Sequence, residues 1–260
     1  MPVIEVPVTV KTTDPAKALR QWTRVGLSLV YPEVCQACGT EPAGVEEGFI
    51  GPLCRSQVKW IQSPFCDRCG LPFHGEITAE FECANCREMK LHFSHARSAV
   101  AAEGLVLEMI HRYKYERALW VEPFLAGLLA QAAEPELRGS TWEAIIPVPL
   151  HPSKEREREF NQAARLAARL SVAIDIPVRG RALRRVGVTR TQTRLSREER
   201  AENVRRAFRV DDGASVRDAR LILVDDVLTT GATTSACAEA LKRAGAAEVC
   251  VWTVARGLLN

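Results

Sequence analysis

Three groups of residues in this sequence have the types and spacing for chemistry. The densest is Leu221-Ile222-Leu223-Val224-Asp225-Asp226-Val227-Leu228-Thr229-Thr230-Gly231-Ala232-Thr233-Thr234. An apolar run, two adjacent carboxylates and a Thr/Gly segment, in that order, suit the binding of a phosphorylated sugar. Gly231 and Ala232 let the backbone approach a phosphate closely, and the hydroxyls of Thr229, Thr230, Thr233 and Thr234 can donate to its oxygens. Asp225 and Asp226 can accept from ribose hydroxyls or hold a magnesium ion. No Lys follows the glycine as in a Walker A loop, and there is no G-x-G-x-x-G. A buried strand followed by an ordinary helix cap is the plainer alternative.

The second group is thiol chemistry. Seven of the nine cysteines fall between residues 35 and 86. Cys66-x2-Cys69 and Cys83-x2-Cys86, thirteen residues apart, can place four thiolates on two tight turns and so complete a tetrahedral zinc site. Gly39 and Gly70 follow the second cysteine of their pairs, where a positive φ turns backbone N–H groups toward sulfur. The other set has Cys35-x2-Cys38, then Cys54 after fifteen residues, and Gln57 at the expected fourth position. Three arrangements are open for it: three cysteines completed by water or a residue such as His74, a metal-free remnant, or a site interleaved with the second. Cys237 and Cys250 lie in apolar segments and read as small core residues. Knuckles of this kind in a reducing cytosol bind metal, and none of their cysteines reads as a catalytic thiol.

The third group is cationic. After Ile145-Ile146-Pro147-Val148-Pro149-Leu150 come His151, Lys154, Arg156, Arg158 and Asn161 in an expected loop. Beside a magnesium-bound pyrophosphate such cations neutralise leaving-group charge; alternating with Glu, they also suit a solvated helix start. Further on, Gln192 to Asn203 is polar, with Ser196 and Glu199 spaced as a capping box, and suits a mobile flap or a plain connector. From His151 to Arg209 there are sixteen Lys/Arg against seven Asp/Glu, in a chain of net charge +3. That excess suits attraction of phosphates, whether of a nucleotide-like ligand or of nucleic acid, or a salt-bridged surface.

These groups need a frame. Leu221–Val224 reads as a parallel strand buried on both faces, with the acids at its carboxyl end, where open α/β sheets bind ligands. The Thr/Gly loop then enters a helix at Ser235, whose N-terminus favours an anion and which stops at Gly245. A second helix, from Asn161 to about Leu170, has Ala164, Ala167 and Ala168 at core spacing. The fold class is therefore α/β: a twisted, mainly parallel sheet flanked by helices, behind a small zinc-ribbon domain. The expected divisions are 1–30 (a tail with an amphipathic helix), 31–92 (zinc ribbon) and 93–260 (the α/β domain). With 47% hydrophobic and 26% charged residues, the composition argues against disorder and repeat arrays. No apolar stretch is long enough to span a membrane, and residues 1–30 lack a signal-peptide core, so a cytoplasmic protein is expected.

The stretch from Leu221 to Thr234 resembles the phosphoribosyl pyrophosphate (PRPP) signature of type I phosphoribosyltransferases. The whole order of motifs resembles the ComF family of competence-associated proteins from about residue 25 to 256. It runs from the cysteine-rich head through His111-Arg112-Tyr113-Lys114-Tyr115, Pro147 to Pro152 with Phe160-Asn161-Gln162, and Arg200 with Asn203, to the Asp225-Asp226 cradle. The resemblance implies a double zinc ribbon with a phosphoribosyltransferase domain, linked to natural transformation and the handling of single-stranded DNA. It implies Asp225 and Asp226 as the ribose-binding, catalytic acids. Thr229, Thr230, Gly231, Ala232 and Thr233 become the 5′-phosphate loop, and His151 through Asn161 the pyrophosphate side. The chain departs from the family in having Gln57 for a cysteine and Glu159 for a glycine. Two functions follow: transfer of ribose 5-phosphate to an unidentified acceptor, or non-catalytic PRPP or nucleotide sensing by a protein that engages single-stranded DNA and uptake partners.

Overall fold

The structure is a computed structural model that describes residues 33–73, 75, 81–186, 207–211 and 216–258. The expected amphipathic helix before residue 30, His74, and the flap with Arg200 and Asn203 lie outside the described residues.

In chain order the elements are α1 (Pro52–Arg55), α2 (Ala84–Glu88), β1 (Ala96–Ala101), α3 (Gly104–Tyr115), α4 (Glu122–Leu137), β2 (Ala144–Pro147), α5 (Pro152–Arg158), α6 (Gln162–Ile174), β3 (Leu183–Arg185), β4 (Phe208–Val210), β5 (Arg220–Leu228), α7 (Ala232–Arg243) and β6 (Glu248–Arg256). The main sheet has the order β1-β6-β5-β2 with every pairing parallel, and β3 and β4 form a separate antiparallel pair. Successive residues of a strand point to opposite faces. Ile222 and Val224 accordingly join one core cluster with Leu125 and Leu129 of α4 and Leu166 of α6, while Leu221 and Leu223 join another with Cys237 and Leu241 of α7. Both Cys237 and Cys250 are fully buried, as expected of core residues.

The cysteine-rich head divides between the two faces. Cys35, Ile50 and Cys54 belong to the α4 cluster, and Cys66, Cys69, Cys83, Cys86, Leu91 and Phe93 to the α7 cluster. The two cysteine sets are thus separate sites, which removes the interleaved arrangement. Among the described residues no helix is long and apolar enough to cross a membrane.

Several local expectations change. β5 continues through Asp225 and Asp226 to Leu228, because the nine-residue β6 goes on pairing with it (Asp225 opposite Thr253, Leu228 opposite Arg256). α7 begins at Ala232 rather than Ser235, capped by Gly231 at φ +83°. The buried face of α6 is Ala163, Leu166, Ala167, Leu170 and Ile174, with Ala168 exposed; the larger leucines decide the face.

The expected loop after His151 is mostly the helix α5, with Pro152 in its first turn, where the missing N–H costs nothing. Glu159 ends that helix in the left-handed region at φ 67°, and its carboxylate lies 2.9 Å from Arg117. A glycine would suit this position, so the departure at Glu159 is a backbone matter at the surface, and its charge is spent on Arg117.

Candidate functional site

A cavity of about 420 Å³ opens at the carboxyl ends of β2 and β5. Asp225, Asp226, Thr229 and Thr233 line it, together with Lys114 and Tyr115 from α3, Arg158 at the end of α5, and Arg185 from β3. Asp226 is 3% exposed, and its Oδ2 lies 2.8 Å from the Lys114 ammonium. Asp225 Oδ1 accepts the Asp226 N–H at 2.9 Å. Burial, and then the neighbouring Asp226 charge, push Asp225 up to about 8. Two adjacent carboxylates beside one lysine leave a site that gains from a further cation.

The rest of the cavity wall is cationic or hydrogen-bonding. Arg158 is buried, donates to Gln162 Oε1 at 3.1 Å, and stacks over Tyr115 with 5.0 Å to the ring centre. The loop Thr229–Gly231 leads into α7, whose first-turn N–H groups lack intrahelical partners. Thr234 faces inward, 2% exposed, and donates to Gly231 O, so its hydroxyl is not offered to the cavity.

Directly behind this loop stands the second cysteine set. Arg256 at the end of β6 is fully buried. It donates from Nε to Cys69 O (3.1 Å), from Nη2 to Cys69 Sγ (3.4 Å), and from Nη1 to Leu228 O (2.9 Å), Gly257 O (2.7 Å) and Thr229 O. One guanidinium therefore ties a cysteine knuckle to the loop that leads into α7. Asn85 Nδ2 donates to Thr230 O at 3.2 Å, and the His92 N–H donates to Ser235 Oγ at 3.1 Å.

The four sulfurs of this set fit zinc. Cys66–Cys86, Cys69–Cys83 and Cys83–Cys86 are 3.8, 3.6 and 3.6 Å apart. Zinc–sulfur bonds of about 2.3 Å in a tetrahedron place sulfurs about 3.8 Å apart. A hydrogen bond from Cys66, aided by Arg256, holds the Cys69 thiol down at about 6. That bond and burial push Cys66 up to about 12, and burial raises Cys86, as expected of crowded thiols that compete for one charge. This is the arrangement of a structural zinc site.

In the first set, Cys35, Cys38 and Cys54 come together with a residue that the sequence did not single out, Glu41; their ligand atoms all lie within 4.8 Å of one another. Gln57, expected to stand fourth, is exposed and lies beyond α1.

Of the expected site residues, the cavity thus gathers Asp225, Asp226, Thr229, Thr233 and Arg158, with Thr230, Gly231 and Ala232 continuing the same loop. His151, Lys154, Arg156 and Asn161 do not line it. Lys154 and Arg156 are exposed on α5. Asn161 caps α6, accepting from the Ala163 and Ala164 N–H groups. Lys114 and Arg185 were missed as site residues because only the fold brings α3 and β3 to this strand end. Lys114 lies within the motif His111–Tyr115, which carried no role of its own.

Residues 26–88 match the double zinc ribbon domain family, and residues 161–258 match the phosphoribosyl transferase domain family. Competence protein F of Haemophilus influenzae is 33% identical over 213 residues, 78% of this chain and 90% of that protein. DNA utilization protein YhgH of Salmonella typhi is 30% identical, covering 88% of this chain and 100% of that protein. Competence protein ComFC of Bacillus subtilis is 26% identical, covering 78% and 82%. With a zinc ribbon matched at one end, a phosphoribosyl transferase domain at the other and such relatives across both, the chain belongs to the ComF family.

Proposed function

We propose that this protein binds PRPP with magnesium in the cavity at the end of β5, and that it serves competence and DNA utilisation as its relatives' names indicate. The observation that carries the reading is one cavity lined by two carboxylates of a parallel strand, by Thr229 and Thr233 of a loop entering a helix, and by three cationic side chains.

In this reading Asp225 and Asp226 accept from the ribose hydroxyls and hold magnesium. Thr229, Thr230, Gly231, Ala232 and Thr233 take the 5′-phosphate through hydroxyls and helix N–H groups. Arg158 and Arg185 face the pyrophosphate. Lys114 balances the charge of Asp226, a carboxylate that would also serve magnesium when the ion is bound. If transfer follows, the bond between ribose C1 and the pyrophosphate oxygen breaks with its electron pair staying on pyrophosphate, the acceptor bonds to C1, and the acceptor's proton passes to water. The cationic wall stabilises the charge gathering on the leaving group. The protein is proposed to act in the cytoplasm, where PRPP is available. The arginines exposed near β3, Arg181 and Arg184, are proposed to contact single-stranded DNA.

The test is titration of PRPP and magnesium into the whole chain, followed by a pyrophosphate assay across a panel of nucleobases. Binding with pyrophosphate release supports a transferase, and binding without release supports a sensor. Absence of binding removes the proposal. DNA affinity should fall steeply as salt rises and should weaken in Arg181→Ala/Arg184→Ala.

A further inference from the structure

The two ribbons share a local hydrogen-bond pattern, which locates the missing ligand of the first. In the second ribbon the Cys66 N–H donates to Leu71 O (2.9 Å) and Phe65 pairs with Pro72. In the first, the Cys35 N–H donates to Glu41 O (2.8 Å) and Val34 pairs with Pro42. Cys83 is the N-cap of α2 and Cys86 its third residue; Gly51 is the N-cap of α1 and Cys54 its third residue. In this helix register Gly51 stands at the place of Cys83 and Cys54 at that of Cys86, so the vacant position is Gly51 rather than Gln57.

What fills the place of the absent thiol is the side chain of Glu41. A Cβ added to Gly51 would lie 2.2 Å from both Cγ and Cδ of Glu41 and 2.6 Å from its Oε2. Gly51 has an ordinary φ of −73°, so its backbone does not call for glycine; the space does. Glu41 is 7% exposed and is held there by the N–H groups of Leu53 (2.7 Å) and Cys54 (2.9 Å).

We infer that Glu41 is the fourth zinc ligand of the first ribbon, reaching across the site to replace the cysteine that Gly51 lacks. Its Oε1 lies 3.6 Å from Cys38 Sγ. That matches the roughly 3.5 Å expected between oxygen and sulfur on one tetrahedral zinc with bonds of about 2.0 and 2.3 Å. Three thiolates and one carboxylate carry the same total charge as four thiolates, so the metal site keeps its charge balance. The two amide bonds to Glu41 aim the carboxylate, as outer hydrogen bonds do for metal ligands generally.

The test is metal content and cobalt spectroscopy on the purified full chain. The wild type should hold about two zinc ions, and Glu41→Ala and Glu41→Gln about one. Adding Gly51→Cys to Glu41→Ala should restore the second ion, whereas Gln57→Cys should not. With cobalt in place of zinc, the rescued variant should raise thiolate-to-metal absorption by about one part in seven and give bands of four-sulfur sites alone. A wild type with one zinc, or Glu41 variants that keep both, would overturn the inference. Rescue by Gln57→Cys instead of Gly51→Cys would overturn the assignment of the missing position.

Discussion

The second ribbon is bonded to the loop Thr229–Gly231 beside the cavity, while the first rests on helices away from it. Arg256 joins Cys69 to the carbonyls of Leu228 and Thr229, and Asn85 reaches Thr230. The first ribbon instead meets α3 and α4. Arg112 donates to Gln36 O at 3.2 Å, and Gly48 lies so close that an added Cβ would come within 2.7 Å of Phe124 N. Two copies of one small motif can thus have different duties. One holds the loop beside the cavity, and the other braces the sheet's opposite face. Damage to the second should appear in ligand binding, and damage to the first chiefly in stability.

The largest effect is expected from Cys69→Ser. A structural zinc contributes about 10–16 kcal/mol at neutral pH, comparable to the roughly 5–15 kcal/mol by which whole domains are stable. Soluble folded protein and PRPP binding should both disappear, which circular dichroism and calorimetry will show. Next, Arg256→Met removes a buried cation with five acceptors. We expect a stability loss of about 3–5 kcal/mol in a denaturant series and PRPP affinity at least about tenfold weaker. An unchanged affinity would break the proposed link between ribbon and loop.

The next effect is a pH dependence. Asp225 is raised to about 8 by burial and by Asp226, so its ionised form is disfavoured in the fold. Without ligand, the stability contribution from this group is fully present below about pH 4 and is lost as pH rises through about 8. Magnesium favours the ionised form, so PRPP affinity should rise by up to about tenfold per unit between pH 6 and 8, with proton release in calorimetry. A flat profile would mean that Asp225 is not at the metal. Asn85→Ala removes one hydrogen bond worth about 0.5–1.5 kcal/mol and should weaken PRPP binding about two- to tenfold. The smallest effect on the ligand is expected from Glu41→Ala: a lower melting temperature with PRPP affinity kept within about twofold. A larger loss of affinity would erase the contrast between the ribbons.

Much of this was legible in the sequence. The continuous apolar run at Leu221–Val224 and the two acids located the cavity, and the Cys66 to Cys86 spacing located a zinc site, because both are local patterns. What was not legible depends on pairing between distant segments. Where β5 stops is set by β6, and Lys114 and Arg185 arrive at the cavity from α3 and β3. The role of Arg256 is visible only once its strand end lies beside Cys69. Counting from Cys54 forward pointed to Gln57, whereas the helix cap shows the vacancy at Gly51. Lys154 and Arg156 had the composition of a phosphate loop but follow Pro152 into an exposed helix. The side chain of Asn161 is taken up in capping α6.

The central claim is that the paired acids of β5 and the loop after them hold PRPP with magnesium. Its most direct test is calorimetric titration of PRPP into the full chain with magnesium, compared with Asp226→Asn and with magnesium withheld. The account predicts one site per chain for the wild type and affinity at least about a hundredfold weaker in both comparisons, because a charged contact at this site is worth about 3 kcal/mol or more. Equal affinity in Asp226→Asn, or no heat of binding in the folded, zinc-loaded wild type, would contradict it.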